Sequence, residues 1–250
     1  MAKTVRTLDG ESRRDHDINS RIHKPKLAEK VALDIEREIL RRGWPVGQII
    51  GSEKELLAKH QVSRGILREA VRLLEHHLVA TMRPGPGGGL VVTAPDAAAV
   101  TGAVAMYLEY QRAAPTVVFE ARIALELVAV QMTTERIDET KINKLRAQLA
   151  REAATDPSEY PSHSHDWHIL VAEMSENPAL TLFITALSRL TMDTAAIARE
   201  LRIPAPREEA EEVHKAHSKI TESIVGGDIG LARHRMRRHL EAIERYTSGH

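Results

Sequence analysis

Residues 162–168, with the sequence SHSHDWH, place three histidines and one aspartate within seven positions. Imidazole nitrogens and carboxylates can bind a divalent metal, transfer protons in catalysis or hydrogen-bond a polar ligand. The chain has no cysteine, so any metal site must rely on histidine and carboxylate ligands. The segment is therefore compatible with a catalytic metal centre, with a phosphohydrolase pair formed by His165 and Asp166, or with a ligand pocket in a protein that catalyses no reaction.

The composition limits the class of protein that presents this segment. A chain of 250 residues with 42% hydrophobic content can bury the core of one large domain or of two smaller ones. No apolar stretch approaches the roughly 20 residues that span a bilayer, and the N-terminus lacks the apolar centre of a signal peptide. We therefore expect a cytoplasmic protein with no membrane partner.

The two halves of the chain carry opposite net charge. Residues 1–92 contain 17 Lys and Arg against 12 Asp and Glu, whereas residues 93–250 contain 18 against 23. A basic front half joined to an acidic back half suggests a polyanion-binding module attached to a second domain.

Short helices and a hairpin are predicted in the N-terminal part. Residues 1–25 are charged and aperiodic, which predicts a disordered arm. An amphipathic helix follows and stops at Gly43; its apolar stripe is Leu27, Val31, Ile35 and Ile39. A second helix is capped by Ser52 with Glu55, and a third is capped by Ser63. The inward-facing residues predicted for the third helix are Ile66, Ala70, Leu73 and Leu74. The segment LVATMRPGPGGGLVV predicts a β-hairpin, so residues 26–93 are expected to form a winged helix-turn-helix.

The pieces SEKEL, VSRGILREAV and RPGPGGG resemble the DNA-binding domain of the GntR family of bacterial transcription regulators. The resemblance departs from the family pattern at Gly51, where proline is usual. It implies a double-stranded DNA operator as partner, with the start of the third helix contacting base edges or phosphates. The DNA-binding residues expected from this motif and from the wing are Lys54, Ser63, Arg64, Gly65, Arg68 and Arg83. The alternatives are an ion pair of Arg68 with Glu69 or Glu75, and a solvated turn around Arg83.

From residue 97 onward the periodicity is helical throughout, with no alternating run long enough for a sheet. The segment PTVVFEARIALELVAVQMTTERI is apolar on nearly every side, which predicts a buried helix, yet it contains Arg122 and Glu126 one turn apart. Buried charges need partners. Either these two side chains neutralise each other or Arg122 holds the carboxylate of a ligand.

Three further helices each place one histidine on or beside an apolar stripe: His168, His217 and His239. A single histidine on an apolar face is usually a satisfied core residue. Three of them on inward faces of one bundle favour convergence on a divalent metal. The remaining histidines of these segments, His163, His214 and His234, fall off the stripes and are expected to face solvent.

The pieces FEARIALE, DWHILVAEMSENPAL, AHSKITESIVGGD and RMRRHL resemble the FCD ligand-binding domain of the FadR-type branch of the same family. In many members one aspartate and three histidines bind a metal that helps hold a small carboxylate effector. The resemblance implies His168, His217 and His239 as metal ligands, with Ser164 in the aspartate position. A bound zinc or other divalent metal should therefore be held weakly, because the site loses its charge-neutralising ligand. The expected effector-binding residues are Arg122, Ser164 and Glu126.

These observations predict a mainly α protein: a disordered arm (1–25), a winged helix-turn-helix (26–93) and an all-helical antiparallel bundle for effector binding and dimerisation (99–250). We expect a ligand-responsive DNA-binding transcription regulator without enzymatic activity. It should act as a homodimer on a pseudo-palindromic operator in response to an organic acid or acyl compound.

Two alternatives stay open at this point. One is a metal-dependent, hydrolase-like helical domain fused to the DNA-binding domain, and the other is a metal-free pocket for a larger acyl ligand. A phosphohydrolase is disfavoured because the chain has no histidine between His77 and His163 to serve as the upstream metal ligand. A zinc hydrolase is disfavoured because no H-E-x-x-H motif occurs.

Overall fold

The computed structural model describes residues 26–95, 97–155, 160–200 and 206–248. Within the helices, the side chains of residues 98, 99, 160–164, 193–200, 206–209 and 246–248 are not among those described. The arm predicted at residues 1–25, the His163 side chain and the Ser164 side chain therefore lie outside the described part of the chain. The chain divides into two compact units, Met1–Pro95 and Asp96–His250.

The N-terminal unit has the element order predicted for a winged helix-turn-helix. Its elements are α1 (Leu27–Arg41), β1 (Ile49–Gly51), α2 (Glu53–His60), α3 (Arg64–His76), β2 (Ala80–Arg83) and β3 (Gly89–Val92). Strand β3 pairs antiparallel with both β1 and β2, which gives the sheet order β1-β3-β2. The sequence did not predict β1, because three residues are too few to show an alternating pattern.

The predicted helix caps are present. The Glu55 carboxylate accepts the Ser52 amide at 2.7 Å and Ser52 Oγ accepts the Glu55 amide, which closes the capping box of α2. Ser63 Oγ caps α3 by accepting the Ile66 amide. Such caps pair amides that the first turn leaves unsatisfied and stabilise a helix by about 1 kcal/mol each. They fix the start of α3, so that Arg64 lies in its first turn.

Most of the predicted stripe residues are buried, namely Val31, Ile35 and Ile39 in α1 and Ala70 and Leu74 in α3. In α1, Leu27 is 52% exposed and Ala28 is buried in its place. In α3, the predicted Ile66 and Leu73 are only half-buried. The residues that α3 buries are Leu67, Ala70, Val71 and Leu74. Because α3 packs against both α1 and β2, its apolar face is wider than a single stripe.

Two glycines of the wing are required by close backbone contacts. A Cβ atom on Gly88 would lie 2.2 Å from the carbonyl oxygen of Arg83, and one on Gly89 would lie 2.6 Å from that of Gly51. Any larger residue would force the strands apart, so the glycine-rich segment is needed to close β2 onto β3 and β3 onto β1.

The C-terminal unit is helical in every described element, as predicted. Its helices are α4 (Ala97–Tyr110), α5 (Pro115–Glu135), α6 (Glu139–Ala154), α7 (Tyr160–Met174), α8 (Pro178–Glu200), α9 (Pro206–Val225) and α10 (Ile229–Ser248). Helix α5 packs against α7, α8 and α10, so it lies at the centre of the bundle. Its outer face is nevertheless open, since Val117 and Val128 are exposed. Among the described helices, none combines the length and apolarity needed to cross a membrane.

Helices α7 and α8 form a hairpin with a tight turn. Asn177 Oδ1 accepts the amides of Ala179 and Leu180 and so caps α8. Glu176 in the turn has φ +56°, in the left-handed region that favours glycine. Its carboxylate lies 2.7 Å from Lys141 Nζ on α6.

Candidate functional site

The structure brings together the three histidines that the sequence singled out. His168 on α7, His217 on α9 and His239 on α10 are buried, and each offers a ring nitrogen within 4.8 Å of the other two. The Nε2 atoms of His217 and His239 lie 3.0 Å apart, and those of His239 and His168 lie 3.3 Å apart. Zinc–nitrogen bonds of about 2.0–2.1 Å in a tetrahedral site require ligand nitrogens about 3.3 Å apart. The cluster therefore has the dimensions of a metal site.

Two buried carboxylates each contact the Nδ1 atom of one of these histidines, on the side of the ring that faces away from the cluster. Glu126 Oε2 lies 2.5 Å from His168 Nδ1, and Glu152 Oε1 lies 3.0 Å from His217 Nδ1. Each carboxylate accepts the Nδ1 proton, so each Nε2 presents a lone pair to the centre of the cluster. His239 Nε2 can donate a proton to only one of these two neighbours. A divalent cation would satisfy all three nitrogens, which is why the donor set fits a metal.

The two carboxylates also bear on the charge balance predicted from the sequence, where the weak metal site stays a prediction. Loss of the family aspartate at Ser164 was expected to leave the site without a neutralising group. Glu126 and Glu152 are both buried beside the cluster and each is hydrogen-bonded to a histidine, although the Arg122 guanidinium offsets the charge of Glu126. The helix of Glu152, α6, was given no functional role from the sequence. A signal was nevertheless present, because Glu152 follows Leu145 and Gln148 at helical spacing on the buried face of α6.

Burial and charge keep the site in the protonation state that a metal requires. Desolvation by burial lowers the pKa of His217 to about 4, although Glu152 opposes the shift, and burial lowers the pKa of His239 well below its usual value. For Glu126, burial alone would raise the pKa, but the charges of His168 and Arg122 lower it to about 2. At neutral pH, His217 and His239 are therefore neutral and Glu126 is ionised.

An aromatic side chain fixes the plane of one ligand ring. Trp167 stacks on His217 with ring centroids 4.2 Å apart and an angle of 11° between the planes. The indole nitrogen donates to Thr221 Oγ1 at 3.2 Å, which fixes the indole in turn. The sequence analysis gave Trp167 no functional role, so this positioning role is an addition.

Arg122 is linked to the cluster through Glu126. Its Nε donates to Glu126 Oε1 at 2.6 Å and its Nη1 donates to Thr191 Oγ1 on α8 at 2.7 Å. The ion pair left open as one alternative is therefore present. Both carboxylate oxygens of Glu126 are engaged, one by Arg122 and one by His168. Glu126 thus connects the guanidinium to the histidines, and its role in effector binding stays a prediction.

The other histidines of α7, α9 and α10, and Asp166, differ in how exposed their side chains are. His165 is buried and Asp166 is exposed, so the two side chains face different environments and do not form a phosphohydrolase pair. His234 is exposed as expected. The prediction for His214 is wrong, because it is half-buried with its Nδ1 3.4 Å from Glu152 Oε2.

The residues expected to contact DNA lie on the surface of the N-terminal unit. Lys54, Arg64, Gly65, Arg68 and Arg83 are exposed, and Ser63 is exposed with its Oγ engaged in the cap of α3. Arg64 Nε lies 3.9 Å from the Glu53 carboxylate, a long and exposed contact. Arg83 Nη2 donates weakly to the Gly87 carbonyl at 3.4 Å.

The ion pair suggested as an alternative for Arg68 is not formed. Glu69 lies 3.4 Å from Arg72, and Glu75 accepts from the Thr81 hydroxyl and the Met82 amide. Arg68 is thus left exposed one turn after Arg64 on the same helix. Two forked guanidiniums spaced in this way suit a guanine edge or a phosphate.

Comparisons with known proteins agree with both units. Residues 117–242 match the FCD domain family, and residues 27–90 match the bacterial regulatory proteins of the gntR family. The HTH-type transcriptional regulator LutR of Bacillus subtilis (strain 168) is 21% identical over 206 residues, which cover 82% of this chain and 93% of LutR. The uncharacterized HTH-type transcriptional regulator YcbG of the same organism is 25% identical over 222 residues, covering 89% and 90%.

A solved structure shares the fold. Streptococcus agalactiae GntR superposes with a TM-score of 0.65 at 21% identity, covering 87% of this chain and 99% of that one. At this identity the likeness concerns the fold alone.

Proposed function

Because the chain belongs to the GntR family of bacterial regulatory proteins and carries an FCD domain over half of its length, we propose that its DNA affinity responds to a small organic acid bound beside the three-histidine cluster. The chain is a ligand-responsive DNA-binding transcription regulator and not an enzyme, like the relatives that it matches. As a regulator it acts where the chromosome is, in the cytoplasm. The observation that supports the effector proposal most is the convergence of three buried imidazoles next to a buried guanidinium.

The proposed metal ligands are His168, His217 and His239. Glu126 and Glu152 orient two of these rings and keep their Nε2 lone pairs directed at the cluster. When bound there, zinc or another divalent metal supplies a coordination position for a carboxylate oxygen. Ser164, four residues before His168 in the sequence, is the residue proposed for the position of the family aspartate.

Arg122 is proposed to attract the effector carboxylate. Its guanidinium is buried and is linked to the histidines through Glu126, so a bound carboxylate would complete a charge network inside the bundle. An effector held by α5, α7 and α8 at once would change how these helices pack. It would thereby shift the equilibrium between conformations that differ in operator affinity.

The DNA contacts are proposed for Lys54, Ser63, Arg64, Gly65 and Arg68 at the start of the recognition helix α3, with Arg83 on the wing. One winged helix reads one half-site, so we propose a homodimer on a pseudo-palindromic operator. Sedimentation of the full-length protein tests this directly, and a monomer at micromolar concentration would contradict it.

None of the described carboxylates near the cluster is free to serve as the general base that the hydrolase-like alternative needs. Glu126 and Glu152 are both hydrogen-bonded to histidines, and Asp166 is exposed on another face of α7. A metal-free pocket for a larger acyl compound is the second candidate effector site. The deciding experiment is a thermal-shift screen of organic acids and acyl thioesters with and without zinc, followed by gel shifts with each hit. We expect hits among carboxylates that require zinc; acyl thioesters that act equally well after chelation would favour the metal-free pocket.

A further inference from the structure

The first turn of the recognition helix α3 contains a glycine that the surrounding protein does not require. Gly65 is exposed, and beyond its chain neighbours and the backbone of its own helix a Cβ atom on it would meet only Ser63 Oγ, at 3.9 Å. By contrast, a Cβ atom on Gly88 or Gly89 of the wing would lie 2.2 Å or 2.6 Å from a backbone oxygen. The packing of the N-terminal unit therefore leaves room for a side chain at position 65.

Glycine is an unfavourable residue within a helix. Its backbone loses more conformational freedom on folding than that of alanine, so it destabilises the helix. Gly65 is not among the glycines with a positive φ, so its backbone conformation gives no reason for glycine either. A residue that breaks a local rule without serving the fold indicates a requirement outside the protein.

Gly65 lies between the two arginines that are proposed to contact DNA. Arg64 precedes it, Arg68 follows it by three positions, and both side chains are exposed. Residues three or four apart share a face of a helix, so Gly65 and Arg68 face the same way. Glu69 also lies one turn after Gly65, but its carboxylate accepts from Arg72 at 3.4 Å. The exposed surface at Gly65 is therefore a gap without a side chain, flanked by Arg64 and Arg68.

In the major groove such a gap matches a methyl group. Forked guanidiniums bind guanine edges, but position 65 has no side-chain donor or acceptor for a base. The C5-methyl group of thymine is the apolar feature that base edges present in the major groove, and it needs a close contact instead of a hydrogen bond. Without a Cβ atom, the helix backbone can approach the base that carries this methyl group.

We infer that Gly65 makes room for the methyl group of a thymine, so that each half-site of the operator has an A·T pair facing Gly65, beside the pairs contacted by Arg64 and Arg68. This inference rests on the proposed function, in which α3 enters the major groove. Gly65 acts through the space that it leaves, and it determines specificity for one base pair of each half-site.

A cycle that adds one methyl group to the protein and removes one from the DNA tests the inference. The full-length parent and Gly65→Ala would be titrated in gel shifts against the operator that the parent selects from a random-sequence pool. Each thymine would be replaced in turn by uracil, which lacks the methyl group. At one position of each half-site, we expect uracil to weaken binding of the parent by about threefold or more.

The expected effect of Gly65→Ala depends on which base is present at that position. On the thymine operator the alanine methyl group and the base methyl group compete for the same space, so we expect binding to weaken by about tenfold. On the uracil operator the loss should be clearly smaller, because the alanine methyl group occupies the space that the base methyl group has left.

Thermal unfolding shows whether the variant acts through the fold. Gly65→Ala should raise the unfolding temperature slightly, because alanine favours a helix, even though it weakens DNA binding. Gly102→Ala is the matched control, since Gly102 is exposed in α4 and a Cβ atom on it would meet nothing within 4 Å. This control should also be stabilised and should bind the operator as the parent does.

Three results would overturn the inference. The first is a lower unfolding temperature of Gly65→Ala, which would show that the fold itself needs the glycine. The second is an unchanged operator affinity of Gly65→Ala, and the third is an equal loss on the thymine and uracil operators at every position. In each case the parent still binds its operator, so the proposed function stands. A parent that selects no sequence from the pool contradicts both the inference and the proposed function.

Discussion

Glu152 Oε1 lies 3.0 Å from His217 Nδ1, on the side of the ring opposite to the Nε2 atom that faces His239. Both side chains are completely buried, and the indole of Trp167 covers the face of the same ring. Helix α6 contributes no metal ligand of its own, so its contact with the site is made through this carboxylate. Glu152 therefore sets the orientation and the tautomer of His217.

Replacing Glu152 by glutamine should weaken metal binding without removing a ligand. Glutamine keeps the volume and can still accept from Nδ1, but it lacks the negative charge that offsets the cation. We expect zinc affinity to fall roughly 10–100-fold, the usual effect of losing such support for a ligating histidine. Competition with a chromophoric chelator measures the change. The exposed Glu173→Gln on α7 is the matched control, and equal affinities for parent and Glu152→Gln would show that the carboxylate is irrelevant to the metal.

The aspartate missing from position 164 offers a gain-of-function test. Ser164→Asp adds an anionic oxygen one helical turn before His168, so it should tighten zinc binding by about tenfold or more, the scale of one charge-assisted contact. His217→Ala should abolish tight binding, whereas His234→Ala should leave it intact. Calorimetry on these three variants and the parent is decisive. If neither the parent nor any of the three variants binds zinc, and the effector response survives His217→Ala, the pocket is metal-free.

Arg64→Ala should weaken binding to the operator that the parent selects from a random-sequence pool. Loss of a forked contact to a base costs roughly 1–3 kcal/mol and relaxes the sequence preference at one position of each half-site. Lys54→Ala should instead weaken binding to all sequences alike and reduce its salt dependence. Gel-shift titrations at two salt concentrations separate the two effects. Arg37→Ala on α1, whose side chain is exposed beside Asp34, serves as the control.

The fold was largely predictable because helix caps and apolar stripes, which are local features of the sequence, determine most of its elements. Ser52 and Ser63 predict the starts of the two helices of the helix-turn-helix, and both residues cap these helices in the structure. The three histidines were identified because each lies beside an apolar stripe, and a helix that buries one face must bring such residues toward the core. Packing of α3 against two neighbours explains why its buried face also includes Leu67 and Val71.

The hydrogen-bonding environment of the cluster was not predictable, because it depends on contacts between distant segments. Glu152 meets His217 across 65 positions of the chain, and Arg122 meets Thr191 across 69. Helical periodicity indicates which face of α6 is buried, but it does not indicate which residue of another helix lies opposite. For the same reason the sequence could not distinguish the bonded His217 from the buried His165, whose ring nitrogens have no hydrogen-bond partner among the described residues.

The buried histidines should make the metal-free protein sensitive to mild acid. An unfolded histidine has a pKa near 6.5, whereas the folded protein holds that of His217 at about 4 and that of His165 at about 3. Between pH 6.5 and pH 4 the unfolded chain therefore binds more protons than the native chain, and the free energy of unfolding must decrease as the pH falls. Glu126, with a folded pKa of about 2, extends the loss of stability below pH 4.5.

Urea unfolding of the chelator-treated protein at pH 7.5, 6.0 and 5.0 measures this dependence. A single histidine shifted from 6.5 to 4 contributes a loss on the order of 2 kcal/mol between neutral pH and pH 5. His165→Leu removes one such group, so its stability should depend less steeply on pH than that of the parent by a similar amount. His234→Leu, at an exposed position, should reproduce the parent slope. If His165→Leu and the parent lose stability in parallel between pH 6.5 and 5, His165 takes up a proton in the folded protein as readily as in the unfolded chain. The conclusion that the folded protein keeps His165 neutral would then be wrong.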